Sequence, residues 1–203
     1  MPWPDYIPAD ISAAYEIHDY KHAAAILANE FRPEFEQLLA ALRIFRLTTA
    51  DITAAGGNES NIPKIVSGIL RPQGWHEEKL HASLVVDGQP VHSDTHWVDY
   101  IKGRVAFDLE WNSKDQTFDR DLFAFRTFHE YGKISAGVLL TRSADLNRVF
   151  DALGVKNKYG ASTTWMGKLL PRLDAGRGGG CPILVFGITP KLITDWQEAP
   201  TLI

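Results

Sequence analysis

The sequence predicts an α/β fold, a mixed β-sheet flanked by helices, with residues 1–203 forming one domain. Three observations predict it. Apolar residues in the first seventy positions recur every three to four residues, as on half-buried helices. From about Trp75 to Trp111 the period falls to two. Beyond that point helical and extended stretches alternate. A chain of 203 residues that is 45% hydrophobic can bury one substantial core and needs no second.

Taken in order, "HDYKHAAAILANEF" and "RPEFEQLLAALRIFRL" read as helices. In the second, Phe35, Leu38, Leu39, Leu42 and Ile44/Phe45 form an apolar stripe, and Pro33 suits a first turn. The small and polar residues of "TTADITAAGGNESNIP" read as a loop, after which Pro63 opens a short helix ending at Arg71 and Pro72. "LHASLVV" and "PVHSDTHWVDY" flank "DGQ" as a hairpin, and "GRVAFDLEW" adds a strand after Gly103. "TFDRDLFAFRTFHEYG" returns to helix with Phe118, Leu122, Phe125 and Phe128 inward, stopping at Gly132. "ISAGVLLT" is a buried strand, and "SADLNRVFDALG" is a helix capped by Ser143 and ended by Gly154. "STTWMGKLLPRLDAG" is a further helix that Pro171 should bend or end early, and "CPILVFGIT" closes the sheet.

The formal net charge of -4 argues against a globally basic nucleic-acid binder. Its distribution is uneven: residues 1–100 hold 7 Lys and Arg against 14 Asp and Glu, whereas residues 101–203 hold 14 against 11, so any polyanion should meet the second half. No apolar run reaches the roughly 20 residues of a membrane span, and "MPWPDYIPAD" lacks the regions of a secretory signal, so a cytoplasmic protein is expected. The single Cys181, in "GGGCPILVFG", excludes an intrachain disulfide and reads as core filling.

Within the apolar strand "GRVAFDLEW", Asp108 and Glu110 occupy positions where charge is expensive. Residues two apart on a strand share a face, so these carboxylates point together while Phe107, Leu109 and Trp111 face the core. Asp99 can be brought beside them from the preceding strand, across the "YIKGR" turn. Three converging acids repel unless a cation neutralises them, and hard divalent ions such as Mg²⁺ favour such oxygen ligands. Mg²⁺ also keeps waters and accepts phosphate oxygens, which points to metal-assisted phosphoryl chemistry.

The segment "VDYIKGRVAFDLEWNSKD" resembles the central motif of BglII-, BstYI- and BamHI-type restriction endonucleases, in which an Asp is followed nine residues on by acid-x-acid or Gln. The likeness continues through "RDLFAFRTFHEYGKISAGVLLTR" and "GRGGGCPILVFGITP", and "YEIHDYKHAAAIL" is similar to the family's N-terminal stretch. The resemblance implies a restriction-endonuclease-like PD-(D/E)XK core. It also implies a homodimer, Mg²⁺-dependent cleavage of double-stranded DNA at a short palindrome leaving 5′-phosphates, and a cognate DNA methyltransferase in the same system. By matching position, Asp99 is the central metal ligand and Asp108 the second, and Glu110 stands where the superfamily usually has lysine. "GWHEEKL" resembles the segment that supplies an additional acid, which implies Glu78 as a third metal ligand, with Glu77 as its rival. An alternative register pairs Glu110 with Asn112. The nine-residue step from Asp99 favours Asp108 and Glu110. The helices at 22 to 45 are candidates for the dimer interface, because a symmetric site calls for a symmetric protein.

In the family the loop after the acid pair reads bases, which implies Asn112, Ser113 and Lys114 as DNA contacts; Asn and Lys suit adenine, guanine and phosphate. "VKNKYGASTTW" resembles the second base-reading region and adds Asn157, Lys158, Tyr159, Ser162 and Thr163. "HSDTH" places His92, Asp94 and His96 on one strand face, with Asp99 on the other if the strand is regular; these read as ordinary histidines, not a zinc site. "DAGRGGG" lacks the Lys-Ser/Thr of a P-loop and reads as an entry into the last strand. Two rival functions remain: a repair or structure-specific nuclease with the same core, and a catalytically silent DNA-binding protein of the same fold.

Overall fold

Period-two stretches of the sequence become six strands of one sheet, seen in a computed structural model that describes residues 3–55 and 60–197, with the side chains of residues 80–84 and 92–95 outside the description. In chain order the elements are α1 (Ala9–Ala14), β1 (Tyr15–Tyr20), α2 (Ala23–Glu30), α3 (Arg32–Ile44), α4 (Thr49–Thr53) and α5 (Asn61–Leu70). There follow β2 (His76–Val86), β3 (Gln89–Lys102), β4 (Val105–Glu110), α6 (Thr117–Glu130), β5 (Ala136–Arg142), α7 (Leu146–Ala152), α8 (Met166–Asp174) and β6 (Ile183–Ile188). The sheet order is β1-β6-β5-β4-β3-β2. β2, β3 and β4 are antiparallel neighbours, β4, β5 and β6 run parallel, and β1 returns antiparallel to β6.

This mixed sheet with helices on both faces is the α/β architecture expected of a restriction-endonuclease-like core. Alternation along β4 sends Val105, Phe107 and Leu109 into a large cluster with α1–α5 and α7, and Ala106 into a smaller one with α6 and α8. The second cluster is tight because β5 carries Gly137 under α6. A Cβ there would come within 2.3 Å of the Phe125 ring, so only glycine lets the helix lie this close. Cys181 is buried in the same cluster.

Three local expectations are corrected. His18, Asp19 and Tyr20, read as the start of a helix, belong to strand β1: Tyr15 to Tyr20 pair with Ile188 to Ile183, and α2 begins only after Lys21 and His22 turn the chain at positive φ. Asp19 Oδ1 accepts the Ala24 amide and so caps that turn. The stretch read wholly as loop contains α4, closed by a capping box in which Thr48 and Asp51 satisfy each other's amides. Pro171 does not end α8, which runs three residues past it to Asp174. The hairpin turn falls at Asp87 and Gly88, both at positive φ, as a two-residue connection requires. Among the described residues no helix is long and apolar enough to cross a membrane.

Candidate active site

β3 and β4 form ladder pairs only as far as Tyr100 and Phe107. Beyond them, side chains take over from the backbone. The Asp99 amide donates to Asp108 Oδ1 at 2.6 Å, and the Leu109 amide donates to Asp99 Oδ2 at 3.5 Å. Two carboxylates thus stand where the strands part. Asp108 is 2% exposed, and its Oδ2 has no hydrogen-bond partner among the described residues. Glu110, on the same face of β4, is also buried with Oε2 unpartnered.

Electrostatics follow from this crowding. Burial, then the charge of Asp99, holds Asp108 well above the usual carboxylate range, although the Asp99 amide opposes the shift. Burial pushes Glu110 up to about 7; a Ser113 hydrogen bond lowers it, Asp99 raises it and Arg120 lowers it. Asp99 is raised chiefly by burial and by the charge of Glu77, with the Leu109 amide and Arg71 opposing. Such shifts mean that burial and mutual repulsion outweigh the opposing charges of Arg71 and Arg120.

β3 is not regular. His76 pairs with Ile101 and Glu78 with Val98, so β3 spends three residues where β2 spends two, and a second such bulge lies between Lys79/Trp97 and His81/Asp94. The first bulge turns both Val98 and Ile101 toward α6. The regular strand on which Asp99 and the histidines were expected on opposite faces is therefore not the one formed. The side chains of His92 and Asp94 lie outside the described residues. His96 is held below its usual value by burial and by Arg120, with Glu77 opposing.

The upstream acids differ in surroundings. Glu78 is paired: Oε1 lies 2.7 Å from Lys133 Nζ and Oε2 3.4 Å from His76 Nε2. Glu77 is exposed, and its charge is the one felt by Asp99. Of the two, Glu77 acts on Asp99 through its charge, and Glu78 has a cation of its own.

The two polar loops are laced together. The Asp115 amide donates to the Ser162 carbonyl and the Thr164 amide to the Ser113 carbonyl, each at 2.9 Å, with a bridge between Lys114 and Thr163. Ser113, Lys114, Asn157 and Ser162 are exposed. Asn112 is half-buried and donates to the Lys158 carbonyl at 3.3 Å. Lys114, Gln116, Thr117 and Arg120 line an open hollow of about 390 Å³ at the start of α6. Lys158 and Tyr159, by contrast, are anchors. The Lys158 amine donates to the carbonyls of Ile52 and Ala54, and the Tyr159 hydroxyl donates to that of Ile52. Tyr159 is 5% exposed and stacks on Phe150 at 4.0 Å, so its ring has no face free for a base. Thr163 is occupied too, donating to the Gly160 carbonyl and accepting from Arg142.

Two residues escaped the sequence reading. Asp121 is 3% exposed, lies on the same α6 stripe as Phe118, Leu122 and Phe125, and has Oδ2 unpartnered. Burial and the charges of Asp108, Glu110 and Asp99 raise it well above the usual range. The signal was available: an acid at an inward position of an apolar stripe. Arg142 is fully buried over Trp111, Phe150 and Tyr159, and donates to the Thr164 carbonyl at 3.0 Å and Thr163 Oγ1 at 2.5 Å. Its aromatic cage forms only in three dimensions.

Among the described residues no three His, Cys, Asp or Glu side chains gather closely enough to cage a metal unaided. The donor set still fits a hard cation. The unpartnered Oδ2 of Asp108 and Oε2 of Glu110 are buried carboxylate oxygens without a hydrogen-bond donor. Mg²⁺ binds by one or two carboxylates, with waters and substrate phosphates completing its shell.

No curated protein sequence matches the chain. A family profile described as "Restriction endonuclease BglII/BglIII" matches residues 15–188, from the first residue of β1 to the last of β6. That span includes every carboxylate of the cluster and both laced loops, and the chain therefore belongs to the BglII/BglIII restriction endonuclease family.

Proposed function

We propose that this chain is a type II restriction endonuclease that hydrolyses both strands of a short palindromic DNA site with Mg²⁺, as a homodimer. The observation that carries the reading is the pair of buried carboxylates on β4, Asp108 and Glu110, each with one oxygen unpartnered, and Asp108 bonded to the Asp99 amide where β3 and β4 part. In this reading Asp99 and Asp108 hold the cation against the scissile phosphate, and Glu78 or Glu77 adds an acid from β2. Glu110, whose carboxyl burial holds at about 7, takes or orients the proton of the attacking water near neutral pH. A bound Mg²⁺ would supply Lewis acidity, lowering the pKa of a water and offsetting charge on the leaving oxygen.

The DNA side of the reading rests on exposure. Ser113, Lys114, Asn157 and Ser162 face solvent on the two laced loops, and Lys114 and Arg120 bring positive charge to the adjoining hollow. Asn112, Lys158, Tyr159 and Thr163 support those loops from within. A homodimer through α2 and α3 accords with Ile44, which ends α3 at 63% exposure. A cognate methyltransferase would accompany such an enzyme.

The test is digestion of a sequenced plasmid with Mg²⁺. Discrete fragments with ends at one palindrome support the proposal. Smears, or cutting only at junctions, favour a repair or structure-specific nuclease. Binding without nicking in Mg²⁺ or Mn²⁺ favours a silent DNA-binding protein.

A further inference from the structure

Asp121 is a buried acid that the reaction outlined above leaves unused. It stands on the inward stripe of α6, where its neighbours Phe118, Leu122 and Phe125 are apolar and a leucine would pack. An aspartate that is 3% exposed with Oδ2 unpartnered is costly unless something absent from the polypeptide satisfies it. α6 packs against β3 and β4 on the face that carries Asp108 and Glu110. The unpartnered oxygens of Asp108 and Asp121 are thus both buried where α6 packs on the sheet.

We propose that Asp121 is a further cation ligand, which from the helix side holds a divalent ion together with Asp108, waters completing its shell. This deepens the nuclease reading and rests on it. Arg120, the next residue, donates to Thr117 Oγ1 and lines the hollow with Lys114. A cation bound between α6 and β4 would therefore also fix the hollow that faces DNA.

The test is calorimetric titration of the metal-free protein with Mn²⁺ alone, without DNA, for the wild type, Asp121→Asn and Asp108→Asn. Asp121→Asn keeps the shape and removes the charge. It is expected to weaken Mn²⁺ binding at least tenfold and to shrink the rise in Tm on adding Mn²⁺, with the metal-free Tm unchanged or higher. Wild-type Mn²⁺ affinity in Asp121→Asn, with or without a lowered Tm, overturns the inference. If Asp108→Asn loses Mn²⁺ while Asp121→Asn keeps it, the nuclease site stands and this inference alone falls. If neither changes Mn²⁺ binding, the cation site itself is wrong. Should Asp121→Asn fail to fold, Asp121→Glu, which keeps the charge but lengthens the reach, is expected to change the ratio of Mg²⁺ to Ca²⁺ affinity; an unchanged ratio overturns the proposal.

Discussion

The Asp99 amide and the Asp108 carboxylate are joined by a 2.6 Å hydrogen bond across the point where β3 and β4 separate. One oxygen of Asp108 is thereby fixed to the neighbouring strand while the other is left without a donor. The bond orients the free oxygen, which is buried. From this arrangement, four outcomes are expected.

Asp108→Asn keeps an oxygen for the Asp99 amide but removes the charge. Cleavage of a plasmid in Mg²⁺ should fall by about 10²-fold or more, the scale of losing one group that acts on transition-state charge. Gel-shift binding to the same DNA without metal should persist. Retained cleavage would remove Asp108 from the site.

Stability of the metal-free protein should fall as pH rises. The folded pKa of Glu110 is about 7 against an ordinary 4.5, so the folded state holds a proton that the unfolded chain releases. The associated stability is fully present below 4.5 and is lost across the interval up to 7, a change on the order of 3 kcal/mol. Asp108 and Asp121, raised by burial and neighbouring acids, act in the same direction. Thermal melts from pH 4.5 to 8 should show this decline, and Ca²⁺ should raise Tm more at pH 8 than at pH 5. A Tm that climbs with pH over that range contradicts the cluster.

Arg142→Ala removes a buried cation, its two hydrogen bonds to the Thr163–Thr164 segment and its packing against three rings. The expected loss is about 3 kcal/mol, read as a lower urea midpoint at unchanged slope. A variant within 0.5 kcal/mol of wild type (about the level of surface substitutions) would refute its role as the loop's anchor.

Tyr159→Phe and Lys114→Ala should separate support from contact. The first loses the bond to the Ile52 carbonyl, costs about 1 kcal/mol of stability and leaves the salt dependence of DNA binding alone. The second should leave stability intact and reduce the slope of log affinity against log salt by about 1. The reverse pattern would exchange their roles.

Much of this was legible in the residues themselves. The hairpin at Asp87-Gly88, the α6 stripe and the shared face of Asp108 and Glu110 follow from local chemistry, because period, turn residues and strand parity act over a few positions. β1 was not legible. Its partner, β6, lies more than 160 residues away, and only that pairing makes "YEIHDY" extended beside a helical run. The bulge between Val98 and Ile101 was hidden for a related reason: it exists only relative to β2.

The amino-acid sequence alone determined which groups are candidates for chemistry: a row of acids in an apolar strand, a family pattern around them, and two polar loops rich in donors. Tertiary structure decided what each group faces. It paired Glu78 with Lys133, left Glu77 acting on Asp99 through its charge, sank Tyr159 against Phe150, and buried Asp121 where α6 packs on β3 and β4. The physical reason is range. Residue type and spacing govern a few ångströms along the chain, whereas burial and charge coupling arise between segments that only the folded sheet and its helices bring together.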